Sequence, residues 1–167
     1  ERFLGNLDQD AARVELLVRR LLERARADVM QAAATDRAEV ATVVRRLASR
    51  YQGTGLQVVV TEPLPSVAVA MAADVLESVL GNLLDNAHQH GGDTVTVAVV
   101  YPAPGADSTT LRIEVSDNGP GISAANAGRV FEPFFTTARA RGCTGLGFVV
   151  VMSLSNAYQL TTEKIVN

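Results

Sequence analysis

The chain has 167 residues, 47% of them hydrophobic, enough for one core with a short appended element. Its net charge of −3 argues against a surface made for nucleic acid, and its single cysteine, Cys143, excludes an internal disulfide and a cysteine-based zinc site. No apolar run reaches the roughly 18 residues that span a bilayer, and the N-terminus does not read as a signal peptide.

Residues 3 to 34 read as one long helix, because Leu4, Leu7, Ala11, Val14, Val18, Leu21 and Ala25 alternate steps of three and four. Such a stripe is expected to pack against partner helices. Thr35-Asp36 supplies a candidate cap, and a second helix runs to Tyr51 with Val40, Val43, Val44 and Leu47 on its apolar face. After a turn at 52–55 come two strands, LQVVVT at 56–61 and SVAVA at 66–70. A strongly apolar helix spans 71–90, followed by a strand at 93–101, a hairpin loop and the strand TLRIEVSD at 110–117. In that last strand Leu111, Ile113 and Val115 share one face, and Arg112, Glu114 and Ser116 the other. A loop-rich stretch from 118 to 145 leads into a final apolar helix. This order predicts an α/β two-layer sandwich, with helices on one face of a mixed sheet.

Four stretches carry chemistry. In LESVLGNLLDNAHQHGG, residues 76–92, Asn82 and Asn86 are four apart and share a helical face opposite Leu76, Val79, Leu80, Leu83, Leu84 and Ala87. A neutral amide oxygen suits Mg²⁺ where phosphates supply the negative charge, although two solvated polar residues also fit this stretch. His88 and His90 are two apart, point in different directions on a helix, and read as helix-end polar residues. At DNGPGI, residues 117–122, a carboxylate ends a strand and glycines follow; alone this is a common turn. FEPFFTTARAR, residues 131–141, combines Phe131, Phe134 and Phe135 with Arg139 and Arg141: aromatics to anchor a loop, arginines to reach a phosphate. RGCTGLGF, residues 141–148, places Gly142, Gly145 and Gly147 at a helix start, where free N–H groups favour phosphate. It lacks the Lys-Ser/Thr of a Walker A loop and does not follow a strand, so neither that reading nor a dinucleotide fingerprint stands.

In this order the four stretches resemble the ATP-binding domain of the gyrase, chaperone, histidine kinase and mismatch-repair ATPase superfamily, most closely that of the sensor histidine kinases. NLLDNA looks like their N box, DNGPGI their G1 box, FEPFF their F box and GCTGLGF their G2 box. The likeness covers residues 36 to 155, and the first helix resembles the second helix of a dimerisation hairpin. On that basis residues 1–34 are expected to be a dimerisation helix and 35–167 the catalytic domain.

The resemblance implies ATP and Mg²⁺ as cofactors, with Asn86 a metal ligand and Asn82 beside it. Asp117 would recognise adenine, with Gly119 and Gly121 shaping its pocket. Thr144, Gly145, Leu146 and Gly147 would meet the phosphates, Arg139 and Arg141 are further candidate phosphate contacts, and residues 122–144 would form a lid. Superfamily members that hydrolyse ATP carry a glutamate on the N-box helix; Asn82 stands there, so transfer to a phosphoacceptor is favoured over hydrolysis. Asp85 is a weaker candidate base, a helix step away.

The departures are Gln89 where the family has a basic residue, Cys143 where glycine is common, and an ending, SLSNAYQLTTEKIVN, unlike the family's final strands. The histidine followed by an acidic residue that accepts phosphate is absent. The expected function is therefore the catalytic portion of a two-component sensor kinase, transferring the γ-phosphate of Mg-ATP to a histidine outside the chain. Implied partners are the phosphoacceptor helix, a response regulator and a second copy through residues 3–30. The implied setting is cytoplasmic, with any membrane span in parts outside this chain. The alternatives are an anti-sigma-type serine kinase and a degenerate nucleotide-binding dimerisation module without catalysis.

Overall fold

A computed structural model describes residues 36–100, 111–138 and 143–157. The expected dimerisation helix, the two arginines at 139 and 141, Gly142 and the atypical C-terminal stretch from 158 lie outside these described residues.

The described elements are β1 (Ala38–Glu39), α1 (Val40–Arg50), β2 (Gln57–Val60), β3 (Ala68–Val69), α2 (Ala73–Gln89), β4 (Thr94–Val100), β5 (Arg112–Asp117), α3 (Ala124–Ala127) and α4 (Gly147–Ala157). β2, β4 and β5 form one mixed sheet in that order. β2 and β4 run parallel, Val58 opposite Val95, and the connection between them contains α2. β4 and β5 run antiparallel, Val97 opposite Val115 and Val95 opposite Asp117.

The alternation in these strands sorts the two faces as expected. Val95 and Val97 are fully buried, and Val58, Val60, Val99, Ile113 and Val115 pack against the core from the same side. Arg112, Glu114 and Ser116 are exposed. The helical layer meets this face with Val40, Val43, Val44 and Leu47 of α1, and Leu76, Leu80 and Leu84 of α2. Of these, Leu84 and Val40 are at 0% exposure, which places the centre of the core between the two helices and β4. The expected mixed-sheet sandwich is the fold found.

Two local expectations change. SVAVA yields only the two residues of β3, which pair with β1 in a separate two-stranded ribbon rather than joining the sheet. This pairing also moves the start of α1. Ala38 and Glu39 are extended, so the cap is not Asp36 but Glu39, whose carboxylate accepts the Thr42 N–H at 2.7 Å. That hydrogen bond holds the Glu39 carboxyl below its ordinary value.

α1 is fastened to α2 by charge and by one buried hydroxyl. Arg46 and Arg50 both pair with Glu77, Arg50 at 2.8 Å. Tyr51, at the end of α1 and 8% exposed, donates its hydroxyl proton to Asp85 Oδ1 and lies 3.3 Å from the Gly81 carbonyl. Burial first, then the Asp85 bond, push the Tyr51 hydroxyl up to about 12.

Candidate functional site

α2 owes its placement to its apolar face: Leu76, Val79, Leu80, Leu84 and Ala87 are buried against the sheet and α1. Asn82 and Asn86 therefore fall on the side turned to α4. Asn82 Nδ2 donates back to the Ser78 carbonyl at 2.8 Å, a local bond that holds the side chain along its own helix. Asn86 behaves differently. Its Nδ2 is buried and has no hydrogen-bond partner. A carboxamide atom left so costs about 1–3 kcal/mol unless a ligand satisfies it.

Asn86 is pressed against the first residue of α4. A Cβ on Gly147 would lie 2.8 Å from both Asn86 Oδ1 and Nδ2, so any side chain there would displace the asparagine carboxamide. Gly145 has a φ of +71°, and a Cβ on it would meet the Phe134 carbonyl carbon and the Phe135 oxygen at 2.6 Å. The two glycines expected to offer N–H groups to phosphate also make room for protein: an asparagine side chain at 147 and a loop backbone at 145.

That loop is the aromatic stretch, and its phenylalanines anchor it as expected. Phe131 meets Phe148 of α4 edge to face at 5.7 Å, and the Phe134 N–H donates to the Gly145 carbonyl at 3.1 Å. Phe134 holds a φ of +64°, rare for a residue with a Cβ. Arg129, paired with Glu132 at 3.1 Å, lies over the Phe135 ring at 4.3 Å from its centre.

Between α2, this loop and the start of α4 lies a cavity of about 120 Å³. It brings together Asn82, Asn86, Thr144, Gly145 and Gly147 of the expected site; Leu146 does not line it. Asp85, Gln89, His90, Phe135 and Cys143 also line it. Its volume suits a phosphate group rather than a whole nucleotide, for which pockets usually hold about 300–1,000 Å³. His90, read as a helix-end polar residue, is the C-cap of α2, at φ −94° and ψ 8°. The cap turns it into the cavity, with Nδ1 3.4 Å from the loop's Thr137 hydroxyl.

Asp117 stands apart from the cavity, at the exposed end of β5. Its Oδ1 accepts the Gly119 N–H at 2.8 Å, and a Cβ on Gly119 would sit 2.7 Å from that same oxygen. Gly119 therefore makes room for the Asp117 carboxylate, and Gly121 supplies a φ of +72°. The turn is pinned by a residue that sequence reasoning left without a role. Asn118 Oδ1 accepts the N–H groups of Asp93 and Thr94 at 3.1 Å, and its Nδ2 donates to Asp93 Oδ1 at 2.7 Å. The Asn118 bond, then that from Thr94, hold the Asp93 carboxyl below its ordinary value.

Among the described residues, no cluster of three or more His, Cys, Asp or Glu could hold a metal ion alone. A divalent cation here would take oxygens from a bound phosphate as well; the partnerless Asn86 Nδ2 is a donor that fits a phosphate oxygen, which leaves Oδ1 of the same carboxamide as the atom that could face the cation. No helix among the described residues is long and apolar enough to cross a membrane.

Comparison with known proteins agrees with this geometry. The chain is 29% identical over 161 residues to the sensor protein CreC of Escherichia coli (strain K12), a match covering 94% of this chain and 33% of that one. It is 36% identical over 139 residues to the sensor protein kinase FleS of Pseudomonas aeruginosa, covering 82% and 33%. It thus spans about a third of the length of these relatives. In fold it is similar to a mycobacterial sensor histidine kinase, MprB, with a TM-score of 0.59 at 24% identity over 74% of this chain and 80% of that one. Residues 71–165 match the family model described as Histidine kinase-, DNA gyrase B-, and HSP90-like ATPase, and the chain belongs to that family.

Proposed function

We propose that this chain is the ATP-binding catalytic portion of a two-component sensor histidine kinase, which holds Mg-ATP while its γ-phosphate passes to a histidine outside the sequence. The observation that carries this reading is the Asn86 Nδ2, a buried donor without a partner beside a phosphate-sized cavity at the start of α4. Asn82, Thr144, Gly145 and Gly147 share that cavity, and the N-terminus of α4 adds its free N–H groups and dipole. Asp117, at the end of β5, is the adenine-recognising carboxylate, with Gly119 and Gly121 shaping the turn beside it. Mg²⁺, when bound, supplies the positive charge that offsets the phosphates. Asn86 is its ligand from the protein.

The position one turn before Asn86 is Asn82, an amide that cannot take a proton from water. This favours transfer to a side chain over hydrolysis. The partners in this reading are a phosphoacceptor helix of the same or a second chain, a response regulator, and a second copy through residues 3–30.

Titration of the chain with ATP in the presence and absence of Mg²⁺ tests the reading, with Mg²⁺-dependent binding in the micromolar to millimolar range expected. Absence of binding at millimolar nucleotide would overturn it. Addition of a histidine-bearing helix from a related sensor kinase is then expected to yield acid-labile, base-stable phosphate. Nucleotide binding without that product would leave a binding module in place of a kinase.

A further inference from the structure

Asp85 is an unexpected residue for a phosphate cavity. It is exposed and is the only acid among the described residues of the lining, and a carboxylate beside a polyphosphate is repelled unless a cation lies between them. Its one described partner is the Tyr51 hydroxyl, which has the Gly81 carbonyl 3.3 Å away as a second acceptor. Tyr51 takes a single site on Oδ1, and a carboxylate offers about four. Mg²⁺ keeps several waters and is commonly held by one or two carboxylates together with substrate phosphates. The same cavity wall supplies Asn86, the next residue, whose Nδ2 is a buried donor without a partner and fits a phosphate oxygen beside the cation.

We propose that Asp85 is a second protein contact for the hydrated divalent cation of a bound nucleotide, and that Tyr51 is the positioning residue that holds its carboxylate. The proposal rests on the Mg-nucleotide reading above. Tyr51 is well placed for this: its ring is buried, the Arg50 guanidinium lies 5.6 Å from the ring centre, and Arg50 is tied to Glu77 at 2.8 Å. The seam between α1 and α2 thereby reaches the nucleotide site through one hydrogen bond.

The test is the ratio of ADP affinity with millimolar Mg²⁺ to that with EDTA, measured by calorimetry on the chain and its variants. Asp85→Asn is expected to cut this ratio roughly tenfold, the lower end of what groups that support a metal contribute. Free ADP should bind it as well as before, or better. Asp85→Glu is expected to keep most of the ratio. Tyr51→Phe, which leaves the carboxylate but frees it, is expected to cut it by a factor of about 3. An unchanged ratio in Asp85→Asn, or a parallel fall of both affinities, would overturn the cation role. An unchanged ratio in Tyr51→Phe would overturn the positioning role. A parent chain that binds no nucleotide under either condition brings down the Mg-nucleotide reading together with this one.

Discussion

Gly147 and Asn86 share one volume: the asparagine carboxamide fills the space that any side chain at 147 would need, with both terminal atoms 2.8 Å from it. Gly147→Ala must therefore move Asn86. The obstacle is the end of a side chain, and alanine improves helix propensity by up to about 1 kcal/mol, so the melting temperature should change little. Mg-ATP affinity is expected to fall about tenfold or more, given how steeply binding geometry depends on small displacements. Calorimetry with thermal melting checks both; an unaltered affinity would remove Asn86 from the nucleotide site.

Gly145→Ala meets a harder obstacle, since its Cβ would press on the backbone of Phe134 and Phe135 at 2.6 Å, from a residue already at φ +71°. The loop backbone cannot yield as a side chain can. A loss of about 1–3 kcal/mol of local stability is expected, with release of the Phe134 amide from the Gly145 carbonyl. Hydrogen exchange reads this directly. The Phe134 amide should exchange much faster, while amides around Leu84 in the core keep their protection.

Asp117→Asn separates recognition from folding. Asparagine retains an oxygen for the Gly119 N–H, and the position is exposed, so stability should stay within about 0.5 kcal/mol. The charged acceptor is lost. ATP affinity should fall roughly 10- to 100-fold, the range for a hydrogen bond to a charged group. Equal affinity in a binding titration would show that adenine is read elsewhere.

Tyr51 makes the fold sensitive to strongly basic conditions. Its hydroxyl is raised from 10.0 to about 12 in the folded chain, so the native state keeps a proton that the unfolded state gives up first. The stabilisation is complete below pH 10 and is lost as pH rises from 10 towards 12. Urea midpoints across that window should therefore fall more steeply for the parent chain than for Tyr51→Phe. Parallel slopes would contradict the burial and Asp85 bonding described for this hydroxyl.

The elements that could be read from the chain are those whose own residues decide them. The alternation of Ile113 and Val115 with Arg112 and Glu114 is the two faces of β5, and Val40, Val43, Val44 and Leu47 are the buried stripe of α1. What could not be read depends on partners distant in sequence. The Ala38–Glu39 ribbon is too short for any periodicity and exists because Ala68 and Val69 lie beside it. The roles of Gly145 and Gly147 were half legible. Their place at a helix start was readable, but the protein atoms they make room for depend on the packing of α4 on α2 and on the Phe134 turn. Asn118 was left without a role because a strut between two strand ends looks like an ordinary turn residue. Asp85 was set aside as lying off the asparagine face. The cavity is broad enough to include it.

The cavity wall made by Phe135 and Thr136 also bears on time. With about 120 Å³ behind it, room for one phosphate group, entry of a polyphosphate is expected to require movement of the docked loop. The measured affinity is then the intrinsic one reduced by the fraction of molecules already open. In a stopped-flow experiment the observed rate should level off with rising nucleotide concentration instead of climbing in proportion. Gly145→Ala, which loosens the docking, should raise that plateau. Capture speed would then be set by the grip of one glycine carbonyl on the Phe134 amide.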